Sequence, residues 1–97
     1  MRIIARSTLQ KFWESHNESE QFLKSWYHEI SSSEYNCPND IIYKYPKASV
    51  LTDNRIVFRI KWNDYRIVVK VNYDYQILWI RFIWTHAEYD KINAHKI

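Results

Sequence analysis

A histidine at the start of a helix with cations nearby can act as an acid or base in phosphodiester chemistry. Thr85-His86-Ala87-Glu88 has the spacing to hold one. Thr followed three residues later by Glu forms a capping box, in which each side chain bonds the other residue's backbone N–H. Thr85 is then the N-cap and His86 the first helical residue. The positive helix end disfavours imidazolium and leaves a neutral ring able to take a proton near neutral pH. Open N–H groups at the same end favour an anion such as phosphate. Tyr89, Asp90 and Lys91 follow within a turn. The plain alternative is a capped helix with an incidental histidine. His16, His28 and His95 have no partner at ligand spacing and read as surface or helix residues.

The second chemical feature is the phase of the basic residues. Arg55–Lys61, Tyr65–Tyr73 and Gln76–Trp84 alternate with period two, so each side-chain set commits to one face of a sheet. Ile56, Phe58 and Ile60 share a face, as do Ile67, Val69, Val71 and Tyr73. Opposite them lie Arg55, Arg59, Lys61, Arg66 and Lys70. The last stretch is apolar in both phases: Leu78, Ile80, Phe82 and Trp84 form one set, and Ile77, Trp79, Arg81 and Ile83 the other. Its single cation assigns Arg81 to the open side beside Trp79. A sheet face with cations and rings suits single-stranded nucleic acid, where phosphates meet charge and bases stack. An ordinary solvated face explains the alternation equally well. It does not explain why the strands lack acidic residues, while Asp53, Asp64 and Asp74 all fall in turns.

These groups need a frame, and the rest of the chain supplies one. Arg2–Ala5 reads as a short strand. Ser7 with Gln10 and Asn17 with Glu20 give start signals for helices over 7–15 and 18–32. Leu9, Phe12 and Trp13 in the first, and Phe22, Leu23, Trp26, Tyr27 and Ile30 in the second, form apolar stripes that read as core. Pro38 suits the first turn of a brief helix through Tyr43, and Pro46 cannot continue it. Ser49–Leu51 adds a short strand. Asp53-Asn54, Asn63-Asp64 and Asp74-Tyr75 punctuate a meander as hairpin turns do. From Thr85 onward the chain reads as a loop and a short helix. The expectation is an α+β fold over residues 1–97 as one domain: two N-terminal helices on one face of a small, mostly antiparallel twisted sheet, then a short C-terminal helix.

Composition narrows the function classes. The 97 residues are 46% hydrophobic and 18% aromatic, too rich in core-forming side chains for a disordered chain. There is no glycine, so Gly-rich phosphate loops of the Walker or dinucleotide type are excluded. One cysteine, Cys37, makes neither an internal disulfide nor a cysteine-rich zinc site. No apolar run is long enough to span a membrane and no signal peptide is evident, which sets the expectation of a cytoplasmic protein. Residues 1–48 carry six basic and six acidic side chains, whereas 49–97 carry eight and five, so the net charge of +3 lies in the second half. No helix is basic enough to read a DNA major groove.

Asn63-Asp64-Tyr65-Arg66-Ile67-Val68-Val69, Ile80-Arg81-Phe82-Ile83 and Thr85-His86-Ala87-Glu88-Tyr89-Asp90-Lys91-Ile92 resemble the HigB toxin family of the RelE-like toxin–antitoxin group. The N-terminal Ile3–Leu9 with Phe12-Trp13-Glu14 is similar too, and the Thr-His-Ala-Glu-Tyr-Asp-Lys-Ile run is the specific part. Trp62 and Trp84 stand where many members have glycine. The resemblance implies cleavage of mRNA on the translating 70S ribosome, and a HigA-like helix-turn-helix antitoxin as partner. It implies no membrane and no small-molecule cofactor.

The expected reaction is metal-independent attack of the RNA 2′-hydroxyl on the adjacent phosphate. The expected catalytic set is His86 as acid or base, Arg66 on the phosphorane as the arginine of the family's Tyr-Arg pair, Lys61 or Arg81 as a second cation, and Tyr89 as orienting group or proton donor. Arg55, Arg59, Asn63, Lys70, Arg81, Trp84 and Lys91 are the expected RNA contacts, and no residues are assigned to a metal. The competing expectation is a non-catalytic RNA- or protein-binding module, an inactivated relative of the toxins.

Overall fold

The computed structural model describes residues 1–62 and 64–89, with the side chains of His86 and Tyr89 outside that description. In chain order the elements are β1 (Arg2–Ile4), α1 (Arg6–Ser15), a 3-10 turn (Asn17–Ser19), α2 (Glu20–Ser31), α3 (Pro38–Lys44), β2 (Ser49–Val50), β3 (Arg55–Ile60), β4 (Tyr65–Asn72), β5 (Ile77–Thr85) and α4 (His86–Tyr89). Among the described residues no helix is long and apolar enough to cross a membrane.

The five strands form one sheet in the order β1-β5-β4-β3-β2. The β2–β3, β3–β4 and β4–β5 pairs are antiparallel, as the hairpin turns require. β1 pairs with β5 in parallel, matching Ile3 with Leu78. α1, α2 and α3 lie between β1 and the meander in sequence, and that intervening chain provides the crossover a parallel pair needs.

The expected apolar phase of β3 and β4 faces the helices. Leu9 and Trp13 of α1 and Leu23, Trp26 and Ile30 of α2 bury against Ile56, Phe58, Ile67, Val69, Val71, Leu78 and Ile80. Phe58 sits at the centre, with Trp26 and Tyr45 both edge-on to its ring at 5.3 Å.

The helix starts depart from the sequence signals. α1 begins at Arg6, and the Ser7–Gln10 box does not form: the N-cap is Ala5, in the left-handed region at φ 76° with no side-chain cap. The chain must turn sharply out of β1 there, which places Ser7 already inside the helix. Gln10 instead donates to Glu14 at 3.4 Å. The Asn17 signal opens a single 3-10 turn rather than the second helix, and Ser19 donates its hydroxyl to the His16 carbonyl at 2.7 Å. Pro38 is in the first turn of α3, as its fixed φ favours.

With no glycine available, other residues take the left-handed positions: Ala5, Asp53, Asn54, Lys61, Trp62 and Gln76 all have positive φ. Asp53 and Asn54 tolerate this, and together they give the paired positive φ of a type I′ hairpin turn. Trp62 does not tolerate it well. It has φ 57° and is 89% exposed, so its ring recovers little by burial. A left-handed non-glycine residue costs roughly 1–2 kcal/mol, and glycine loses about 0.4–1 kcal/mol through its freer unfolded state. Trp62→Gly is therefore expected to stabilise the fold by roughly 0.5–1 kcal/mol, raising the melting temperature by a few degrees in calorimetry. An unchanged or lowered melting temperature would refute the strain.

Candidate nucleic-acid interface

On the sheet face away from the helices, the β3–β4 register sets Arg55 opposite Lys70 and Arg59 opposite Arg66. Like charges directly opposite destabilise a strand pair, so such a face persists only where anions or acceptors offset it. At one end the offset comes from a turn. A single Asp53 carboxylate oxygen accepts from Arg55 Nη1 and Lys70 Nζ, each at 3.1 Å. The Lys70 ammonium, with Arg55, holds the Asp53 carboxyl below its ordinary range. Two of the expected RNA contacts are thus engaged by the chain's own anion. Arg59 donates one guanidinium nitrogen to the Lys47 carbonyl and to Ser49 Oγ, the latter at 2.9 Å, which ties β3 to the segment entering β2.

Asp53→Asn is accordingly expected to strengthen binding of single-stranded RNA at low salt. It should steepen the log–log salt slope by about 0.7 for each phosphate that Lys70 or Arg55 then engages. A salt titration of affinity reads this directly. An unchanged slope would show that this end of the sheet does not meet phosphate.

The β5 strand overturns the even phase expected from its sequence. Val69 pairs with Ile80 and Val68 with Phe82, which leaves Arg81 as the extra residue of a β-bulge. An extra residue shifts every later side chain to the opposite face. Leu78 and Ile80 stay in the core, but Phe82 and Trp84 move to the open face and Ile83 turns to the core side. Arg81 is exposed at the bulge instead of continuing the Trp79 row.

The consequence is a platform the sequence did not reveal. Phe82 and Trp84 stack at 4.6 Å with planes 13° apart, and Phe82 is 42% exposed. Trp84 and Leu51 pack over the fully buried Val57 and Val68, so the middle of this face is dry. Trp84 lies opposite Arg66 in register, and Arg66 is 8% exposed. Trp84, Arg66 and Arg59 therefore form one row across β5, β4 and β3. Trp79, Lys70 and Arg55 form another four residues along β4, about 13 Å away.

Lys61 leaves the row assigned to it. β3 ends at Ile60, and Lys61 enters the turn with φ 51°, which redirects its side chain. Its ammonium lies 5.9 Å from the Tyr65 ring centroid and 3.8 Å from the Asp64 carboxylate. Tyr65 belongs to a cluster the sequence also concealed. Phe12 and His16 stack at 4.1 Å, both lie edge-on to Tyr65, and the Tyr65 hydroxyl donates to Glu18. Burial, followed by the bond to Glu18, pushes the Tyr65 phenol up to about 12, while that bond lowers Glu18. The pairing of Tyr65 with Thr85 holds the end of β5 beside this cluster.

Past that pair, the capping box forms as the sequence expects. Glu88 N–H donates to Thr85 Oγ1 at 3.3 Å, and Thr85 N–H donates to Glu88 Oε1 at 3.2 Å. The Thr85 hydroxyl also donates to that carboxylate at 2.9 Å. His86 is the first residue of α4, two positions after Trp84 and next to the strand end that carries Arg66. Glu88 brings a carboxylate to the helix start, so part of the anion-binding capacity expected there is taken by the chain itself. Asn63 and Lys91, and the side chains of His86 and Tyr89, lie outside the described residues. Among the described residues, no three His, Cys, Asp or Glu side chains gather as a metal site.

Comparison with known proteins identifies one family. The HigB toxin family, described as the RelE-like toxic component of a toxin–antitoxin system, matches residues 19–92, which include β2 to β5 and the capping-box segment. No curated protein matches the chain.

Proposed function

Because the chain belongs to the HigB toxin family, the RelE-like toxic component of toxin–antitoxin systems, we propose that it is an endoribonuclease that cleaves mRNA on the translating ribosome and so halts protein synthesis. The observation that carries this reading is the row Trp84–Arg66–Arg59, which ends beside the capped helix start that bears His86. It joins a ring, cations and an acid–base residue at one end of the sheet.

The reaction is transesterification. The RNA 2′-oxygen bonds to the adjacent phosphorus as its proton leaves. The bond from phosphorus to the 5′-oxygen then breaks, giving a 2′,3′-cyclic phosphate and a 5′-hydroxyl end. His86 takes the 2′ proton or supplies the leaving oxygen's proton, with Tyr89 orienting or serving the other end. Arg66 stabilises charge on the phosphorane, and Arg81 on the bulge is the second cation. Lys61, turned toward Tyr65, positions the hairpin. The nucleophile belongs to the RNA, and side chains supply proton transfer and positive charge, so the scheme calls for no metal or cofactor. Chelators should leave activity intact.

In-line attack needs the RNA bent so that the 2′-oxygen faces the leaving 5′-oxygen across phosphorus. On this reading the ribosome performs that positioning, which can contribute roughly 7–11 kcal/mol of barrier lowering. Membership of a toxin–antitoxin family implies an antitoxin partner, and we assign that role to a HigA-like helix-turn-helix protein from the adjoining reading frame.

The test is a cell-free translation reaction in which mRNA 5′ ends are mapped by primer extension. New ends that require both the protein and ribosomes, persist in chelator and are absent from naked RNA are the expected result. Intact mRNA with unimpaired translation by the folded protein would leave a binding module in place of the enzyme.

A further inference from the structure

A cavity of about 630 Å³ opens on the helix side of the molecule and meets the cation rows at Arg59, on its rim. Its walls are α2, the segment that follows α3, and the end of β3. Phe22, Trp26, Tyr45 and Phe58 give it an aromatic floor. Its size falls in the range of pockets that take whole ligands, and so it can take bulky side chains of a peptide.

Three features set this groove apart from ordinary surface. Phe22 is 43% exposed on a helix position where a polar residue would suffice. Trp26 is 3% exposed, and its indole N–H meets no acceptor among the described residues, although buried donors are nearly always paired. The charges on the walls are one-sided: Lys44, Lys47, Arg59 and Lys61 against Glu29. Glu29 is itself engaged by the Tyr45 hydroxyl at 2.5 Å, while the Lys47 ammonium makes no ion pair with a described residue. An apolar floor inside a basic rim is complementary to a segment with bulky apolar anchors flanked by carboxylates.

We infer that this groove is the docking site for a short acidic, apolar-anchored segment of the antitoxin. The inference rests on the reading of the chain as an antitoxin-controlled toxin. Apolar anchors fill the space over Phe22 and Phe58, and carboxylates meet Lys44 and Lys47. The groove is on the opposite side of the sheet from the Phe82–Trp84 platform and shares Arg59 with the cation rows, so RNA contacts and antitoxin contacts separate by mutation at Phe22 and Lys47.

The experiment measures binding of the purified, full-length product of the adjoining helix-turn-helix reading frame to the full-length toxin. It compares wild type, Phe22→Glu and Lys47→Glu, and measures short single-stranded RNA binding and ribosomal mRNA cleavage in parallel. Both residues are at the surface, so neither change requires a hole in the core. Phe22→Glu is expected to weaken antitoxin binding at least tenfold and Lys47→Glu several-fold. Wild-type association should slow with added salt. RNA affinity and cleavage without antitoxin should stay as in wild type. Antitoxin binding unchanged in both folded variants would overturn the groove and leave the antitoxin reading standing. A loss of RNA affinity with antitoxin binding intact would assign the groove to RNA and overturn the proposal. No binding to wild type would remove the groove proposal and the antitoxin assignment together, whatever the cleavage assay shows.

Discussion

His86→Ala and Arg66→Ala are each expected to suppress ribosome-dependent mRNA cleavage while leaving a folded protein that still binds RNA. A positioned acid or base is worth roughly 10²–10⁴-fold in rate, so His86→Ala should fall by that much. A preorganised cation on a developing oxyanion is worth about 10²–10³-fold, which sets the scale for Arg66→Ala. The two losses arise differently. Removing His86 should erase the limb of the pH–rate profile that reports its titration. Removing Arg66 should lower the rate at every pH without moving that limb. Arg66 is also largely buried, so truncation alone can destabilise. Arg66→Lys separates the effects: it keeps the charge and loses the planar fork that grips phosphate. It should retain the melting temperature better than Ala does and recover only part of the rate. Cleavage within threefold of wild type in folded His86→Ala would sink the acid–base assignment. The same result for Arg66→Ala would sink the phosphorane contact.

What the sequence conveyed about this site follows the range of the forces involved. The Thr85–Glu88 box was legible because both partners are three residues apart and no distant contact competes. The phase of β3 and β4 was legible because one face of each is apolar and the other carries cations. β5 was not, because both of its phases are apolar and no pattern records which one the core takes. Arg81 was the available signal: a lone cation inside nine otherwise uncharged residues marks the bulge that reverses the phase after it. Ser7 lost its expected cap to the turn forced by β1, a strand whose parallel partner lies more than seventy residues away in sequence. The Asp53 bridge and the Tyr65–Glu18 bond were equally hidden, since each depends on a register that forms only when the sheet does.

That reversal of phase leads to the last expected result, a loss of RNA affinity on removal of the Phe82 ring. Base stacking on an aromatic side chain contributes about 1–3 kcal/mol per base, or roughly 5- to 150-fold in affinity. Phe82 is the exposed ring of the stacked pair, whereas Trp84 packs on the buried Val57–Val68 patch. Phe82→Ala should therefore lower affinity for a short single-stranded RNA at fixed salt toward the small end of that range, since the Trp84 face it uncovers can still stack. Phe82→Ala with Trp84→Ala should lose more than either single change. Leucine distinguishes stacking from simple apolar contact: Phe82→Leu keeps most of the buried area and lacks a π face, so it should behave like Ala. The salt slope should stay at the wild-type value in these variants, because no phosphate contact is lost. In Arg81→Ala the slope should shrink by about 0.7. Wild-type affinity in Phe82→Leu would show that the ring only covers the valine patch. A reduced slope in Phe82→Ala would mean that the ring instead positions a cation, and the platform would then be electrostatic in origin.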